Sequence, residues 1–134
     1  MDAIDLGSQI VKGFLSKTNL DPENIDIVIW GNVVESINGP NVAREIILDS
    51  KLPSKITGKT ISKGWLSGLE GILEGIDLIE NGNAEVVLVG ASDSISSSEI
   101  ILPKHMSQNL DKYKYSKTNG ISGFAKLMKV KKNN

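Results

Sequence analysis

The run Thr60-Ile61-Ser62-Lys63-Gly64-Trp65-Leu66-Ser67-Gly68-Leu69 reads as the end of a strand, a tight turn and the start of a helix. Such a junction lifts one side chain clear of a sheet and surrounds it with unpaired backbone N–H groups. The positive end of the helix dipole adds to them, so negative charge is stabilised there and a nucleophile would be well served. The apex residue is Trp65. Its indole offers one N–H donor and no lone pair suited to acyl attack. Two positions on, Ser67 can be combined with Asp93 and His105 into a Ser/His/Asp set, the arrangement that makes a hydroxyl nucleophilic. Against this, His105 is the only histidine and falls in a stretch without periodicity, and Ser67 has no G-x-S-x-G context. The plainer expectation is a helix-capping Ser67 and an exposed His105.

Other chemistries find less support. The chain has no cysteine, which excludes disulfides, zinc–cysteine sites, iron–sulfur clusters and any thiol nucleophile. The glycines at 31–39 and 64–68 fit neither G-x-G-x-x-G nor G-x-x-x-x-G-K-[ST], so nucleotide binding by those routes is not expected. No His/Asp grouping has metal-ligand spacing. Arg44, the sole arginine, sits beside Glu45; an ion pair or hydrogen bonds to loop carbonyls are expected of it rather than substrate recognition.

The elements that must position these residues follow from periodicity. Leu6, Ile10, Val11, Phe14 and Leu15 recur at helical spacing across 5–17, and Pro22 follows the break. Residues 25–31 (IDIVIWG) alternate and are rich in β-branched types, a strand. Gly39-Pro40 marks a loop, and Asn41 can cap a short helix over 42–48. A second strand, weakened by Gly58, is expected over 55–62. The helix over 66–81 carries Leu69, Ile72, Leu73, Ile76 and Ile79 on one face and Glu70, Glu74, Asp77 and Glu80 on the other, with Gly82 as its stop. Residues 84–90 (AEVVLVG) fit a strand buried on both faces. Serines then gather at 92, 94, 96, 97 and 98. Alternating helices and strands predict an α/β layered fold with a largely parallel or mixed sheet.

One domain is what 134 residues allow, and 40% hydrophobic with 23% charged residues is the balance of an ordinary globular chain. No apolar run is long enough to span a membrane, and the start lacks the order of a signal peptide, so a cytoplasmic protein is expected. The net charge of −1 hides an asymmetry: residues 1–103 hold 7 Lys+Arg against 15 Asp+Glu, whereas 104–134 hold 8 Lys and only Asp111 as an acid. This basic, loop-rich tail has no arginine, and Tyr113, Tyr115 and Phe124 are its only aromatics. Arginine is the usual reader of phosphates and bases, so nucleic-acid binding is not expected.

Four segments occur in an order that resembles the N-terminal half of a thiolase: Trp30 to Val34, Gly39 to Glu45, Thr60 to Leu69, and Val87 to Ser94. The PNVARE run at 40–45 is most like the β-subunit type of fatty-acid oxidation complexes. The resemblance covers residues 2 to about 103 and implies a partial thiolase-like N-terminal domain over 1–103. The basic tail of 104–134 falls where the family inserts its loop domain. It also implies that the family's first strand, which precedes the first helix, is missing, so that the sheet closes without it or exposes an edge.

Thiolases pass an acyl group between CoA thioesters through a cysteine at the turn matched by Gly64 to Leu66, where this chain has Trp65. Their second catalytic cysteine and their histidines lie in a C-terminal half absent here. The resemblance therefore implies a protein incompetent for thiolysis by itself: a remnant, a split piece or an interaction partner. The alternatives are an acyltransferase active only with a second chain, and a non-catalytic CoA-binding module. No cofactor is expected, CoA or acyl-CoA entering only as a candidate ligand. The family pairs across its dimer twofold through the strand matched by Lys59, Thr60, Ile61 and Ser62, so self-association or binding of a thiolase-family chain is expected there.

Overall fold

The computed structural model describes residues 1–34 and 39–96, all within the unit Met1–Glu99. The lysine-rich stretch 104–134, with His105, and the serines at 97 and 98 lie outside the described residues.

Helix α1 spans Ala3–Thr18. It starts where Asp2 and Asp5 exchange hydrogen bonds: Asp5 N–H donates to Asp2 Oδ1 at 2.8 Å, and Asp2 N–H to Asp5 Oδ2 at 3.2 Å, a reciprocal cap that satisfies two end donors. Asn19, left-handed at φ 53°, ends it. A short turn at Pro22–Asn24 leads into strand β1, Ile27–Gly31. Helix α2, Val42–Asp49, begins where Asn41 Oδ1 accepts from Arg44 N–H at 3.1 Å. Strand β2 is Thr57–Ile61, helix α3 Ser67–Glu80 and strand β3 Val87–Ala91.

The three strands are parallel, in the order β2-β1-β3. The central strand alternates between two covered faces. Val28 and Trp30 join Val11, Val42, Ile46, Ile47 and Ile56 in the main core, beneath α1 and α2. Ile29 and Gly31 face α3 instead. β1 and β3 pair directly from Ile27–Val87 to Gly31–Ala91, so the described strands close without a gap.

One expectation needs correction, and one helix packs otherwise than its pattern suggests. β3 is not buried on both faces; it stands at the sheet edge and Val87 to Gly90 are only half-buried, whereas β1 is the covered strand. The apolar face of α3 also does not meet the sheet. Its buried residues are Ser67, Gly71 and Gly75, while Leu69, Ile72, Leu73, Ile76 and Ile79 are each about half exposed. A Cβ at Gly71 would lie 3.0 Å from Val89 Cγ1, and one at Gly75 3.1 Å from Val89 Cγ2. The glycine stripe thus lets the helix backbone settle onto the valines of β3, and the branched side chains turn outward.

Trp30 is the largest fully buried side chain. Its ring lies against Gly90, where an added Cβ would overlap it, and against Gly7 of α1, where a Cβ would meet Cζ2 at 2.9 Å. Its Nε1–H donates to Ser92 Oγ at 2.8 Å, and that hydroxyl donates to Ala3 O at 2.7 Å. At the other end of the sheet, Asp26 holds both neighbours. Its N–H donates to Val86 O at 3.0 Å, its carbonyl accepts from Thr57 N–H at 3.2 Å, and its Oδ2 accepts from Glu85 and Val86 N–H at 2.8 and 3.0 Å. Donation from Val86, and then from Glu85, holds the Asp26 carboxyl below its ordinary value of 3.8.

Gly90→Ala pushes a methyl group into the indole and is expected to cost about 1–3 kcal/mol in urea unfolding. Trp30→Phe removes the donor to Ser92 and part of the packed ring, and should cost at least about 1 kcal/mol. A carboxyl more acidic in the folded chain than in the unfolded one stabilises the fold above pH 3.8, and this contribution is lost as pH falls through the folded value. Asp26→Asn is therefore expected to flatten the acid limb of the stability–pH curve, measured by urea midpoints at successive pH values.

Candidate functional site

Because all three strands run the same way, their carboxyl ends share one edge of the sheet, the place where open parallel sheets usually build sites. Three segments meet there: Asn32 to Val34 after β1, Ser62 to Leu66 after β2, and Ser92 to Ser96 after β3.

The turn after β2 is closed by Ser67. Its Oγ accepts from Lys63 N–H at 2.8 Å and donates to Gly64 O at 2.6 Å, while its own N–H also donates to Gly64 O at 3.1 Å. Gly64 takes φ +56°, a left-handed value that a side chain would penalise. Ser67 is 3% exposed. It is not the N-cap expected from sequence: Leu66 occupies that position and has no capping side chain. The serine hydroxyl instead ties the turn that presents Trp65, which is 87% exposed. The sequence-predicted apex is therefore an apex in the fold, and its indole projects into solvent.

Asp93 does different work. Its Oδ1 accepts from Asn32 Nδ2 at 3.0 Å and from Val33 and Val34 N–H, each at 2.9 Å. Asn32, 2% exposed, also donates through Nδ2 to Ser92 O at 3.0 Å and through its backbone to Ile61 O at 3.0 Å. One carboxylate and one carboxamide thus clamp the segments after β1 and β3 together. The hydroxyl proton of Ser67 goes to Gly64 and Asp93 Oδ1 serves backbone amides, so these two residues of the imagined hydrolase set are each bound within different turns. His105, the third, lies outside the described residues.

Arg44 behaves as its isolation suggested, its Nη1 donating to Ser54 O at 3.0 Å and Ile56 O at 3.2 Å. Of the proposed pairing residues, Lys59 and Ser62 are exposed, with Lys59 ion-paired to Glu74. Thr60 Oγ1 is engaged, donating to Asn41 Oδ1 at 2.9 Å and accepting from Ala43 N–H at 3.0 Å, and Ile61 is buried. Among the described residues no group of three or more His, Cys, Asp or Glu is placed to hold a metal ion, and no helix is long and apolar enough to cross a membrane. Sequence reasoning missed the Asn32–Asp93 clamp. Its signal was an Asn directly after one strand and a Ser-Asp directly after another, both polar where apolar runs end.

The family model described as thiolase, N-terminal domain, matches residues 1–132. An acetyl-CoA acetyltransferase of Schizosaccharomyces pombe is 37% identical over 105 residues, covering 78% of this chain and 27% of that protein. One from Escherichia coli is 32% identical over 100 residues, covering 75% and 25%. Among solved structures, a thiolase from Ascaris suum in complex with coenzyme A matches with a TM-score of 0.73 at 30% identity. The Bacillus anthracis acetyl-CoA acetyltransferase matches with 0.74 at 28%, and each match covers 78% of this chain and 27% of the other. The chain thus spans about a quarter of the length of the curated relatives it matches.

If Ser67 is a turn residue, its removal must be felt in stability. Ser67→Ala leaves Lys63 N–H without its acceptor and is expected to cost about 1–3 kcal/mol, whereas Trp65→Ala, a change at an exposed apex, should stay within about 0.5 kcal/mol. Urea unfolding of the two variants checks this ordering.

Proposed function

The chain belongs to the thiolase family through its N-terminal domain, and on that footing we propose that it is a non-catalytic association partner rather than a self-sufficient acyltransferase. The observation that carries this reading is Trp65. The tight turn, the left-handed Gly64 and the helix start that would serve a nucleophile are all in place, yet the residue they present cannot form a thioester. A covalent acyl intermediate requires a thiolate or an activated hydroxyl. The chain has no thiol, and the hydroxyl two residues past the apex, Ser67, is buried and hydrogen-bonded. An indole at the apex would also occupy space beside any acyl group brought there.

The described residues carry the parallel strand ends and helices of a thiolase N-terminal domain, and with no nucleophile at the apex the activity this reading assigns to them is association. The outer edge of β2, with Lys59 to Ser62, is the surface that the family resemblance favours, and its place at the end of the strand order leaves that edge available among the described residues. An acyltransferase completed by a second chain is opposed by Trp65, because the nucleophile would have to arrive from elsewhere.

Incubated with acetoacetyl-CoA and CoA, the purified chain is expected to release no acetyl-CoA above the protein-free blank. Turnover proportional to protein concentration would overturn the proposal. For the pairing edge, amide hydrogen exchange should slow within 59–62 as concentration rises; exchange there that is independent of concentration would remove that surface.

A further inference from the structure

The turn that ends α3 joins a reactive dipeptide to a lock. Asn81 is the residue after the helix, and Gly82 follows it. In an Asn-Gly pair the glycine has no side chain to shield its backbone nitrogen, and that nitrogen can attack the asparagine Cγ. A C–N bond forms, the Cγ–Nδ2 bond breaks, and the displaced amide takes up the Gly82 proton and leaves as ammonia. Water then opens the five-membered succinimide at either carbonyl, giving aspartate or isoaspartate. Water is the only co-reactant.

In the folded chain both reacting groups are held. Gly82 N–H donates to Ile79 O at 3.0 Å and Asn83 N–H to Leu78 O at 2.8 Å. This is the paired closure of a helix by a left-handed glycine, here at φ +68°. Asn81 Nδ2, the group that would leave, donates to Asp77 O and to Asp77 Oδ1, each at 2.9 Å. With ψ of Asn81 at 4°, the Gly82 nitrogen is turned away from Cγ. Ring closure requires a large rotation about that bond, which breaks the Gly82–Ile79 bond and carries Asn83 away from Leu78.

We infer that Asn81 is a site of spontaneous deamidation gated by the cap of α3: the closed turn protects it, and each opening of the last helical turn releases it to attack. The inference is independent of the thiolase reading, because the reactants are neighbours in one chain. The reaction does not reverse. An acid at position 81 no longer donates to Asp77, and it adds negative charge at a helix C-terminus whose last turn already lacks a basic residue. An isoaspartate also lengthens the main chain by one carbon, so the Gly82 and Asn83 bonds cannot both return. The change has a boundary, since Asp26 Oδ2 accepts from Glu85 and Val86 N–H and holds the approach to β3 separately. Reversible fraying of α3 thereby becomes permanent fraying.

Peptide mapping by mass spectrometry tests this on the full chain, aged at mildly alkaline pH in buffer and in guanidinium chloride. The amide-to-acid mass gain at Asn81 should appear in denaturant and be at least about tenfold slower in buffer. Asp77→Ala removes one acceptor from Nδ2; with circular dichroism unchanged, it should speed conversion in buffer at least about threefold and leave the rate in denaturant unaltered. If that variant does not fold, the ratio of the two rates of the unaltered chain decides alone. Gly82→Ala, whose methyl group shields the attacking nitrogen, should slow conversion in denaturant. Equal rates in buffer and denaturant overturn the inference, as does a buffer rate that folded Asp77→Ala leaves unmoved. So does an Asn81 that stays intact in denaturant while Asn38 and Asn119, which also precede glycine, convert.

Discussion

The buried indole of Trp30 and the glycines that make room for it set the terms for the rest of the fold. The ring lies over Gly90 on the neighbouring strand and against Gly7 on the first helix, and its one polar atom is satisfied through Ser92 to the carbonyl of Ala3. A side chain this large buries on the order of 150–250 Å², but it can do so only where its neighbours give way. Placing it in the central strand therefore fixes the spacing of helix α1 from the sheet and the register of β3 against β1. The same placement aims Ser92 so that the next residue, Asp93, reaches Asn32, Val33 and Val34. Core packing and the order of the strand ends are, in this molecule, one constraint.

Parallel strands with helices on both faces leave their carboxyl ends as the natural place for chemistry, and the chain keeps that scaffold. The Ser67 hydroxyl closes the turn, Gly64 supplies the left-handed residue, and the Asn32–Asp93 clamp steadies the facing segments. None of these depends on the identity of residue 65. The apex can thus carry an indole without disturbing what holds it: what closes the turn and what the turn presents are borne by different atoms.

Much of this was legible in sequence for identifiable reasons. β1 alternates with β-branched residues, and Asn41 is a helix start with a mechanism, whereas the Asp2–Asp5 cap that starts α1 two residues before the expected helix emerged only in the structure. The apex at Trp65 followed from glycine placement between a strand and a helix. What misled was α3: Leu69, Ile72, Leu73, Ile76 and Ile79 form a strong stripe, and Gly71 and Gly75 carry no hydrophobic signal at all. Periodicity ranks faces by side-chain character, whereas this helix chose its contact by how closely the backbone could approach. The edge position of β3 was likewise hidden, since an all-apolar run looks the same at an edge as at the centre. The roles of Ser92 and Asp93 needed strand order, because their partners lie about sixty or more residues away.

That separation has a consequence for how the chain comes to be folded at all. Of the three described strands the central one comes first in the chain, yet it pairs with strands that end at 61 and 91, and Ser92 closes back on Ala3 across 89 residues. No early portion can complete the sheet. During synthesis β2 can cover one edge of β1, but the other edge and the Gly90 side of the Trp30 ring stay uncovered until β3 has left the ribosome. A topology dominated by such distant pairings folds slowly for its size and stays open to wrong partners while it does. The interval before residue 92 emerges is when this protein is most exposed to aggregation.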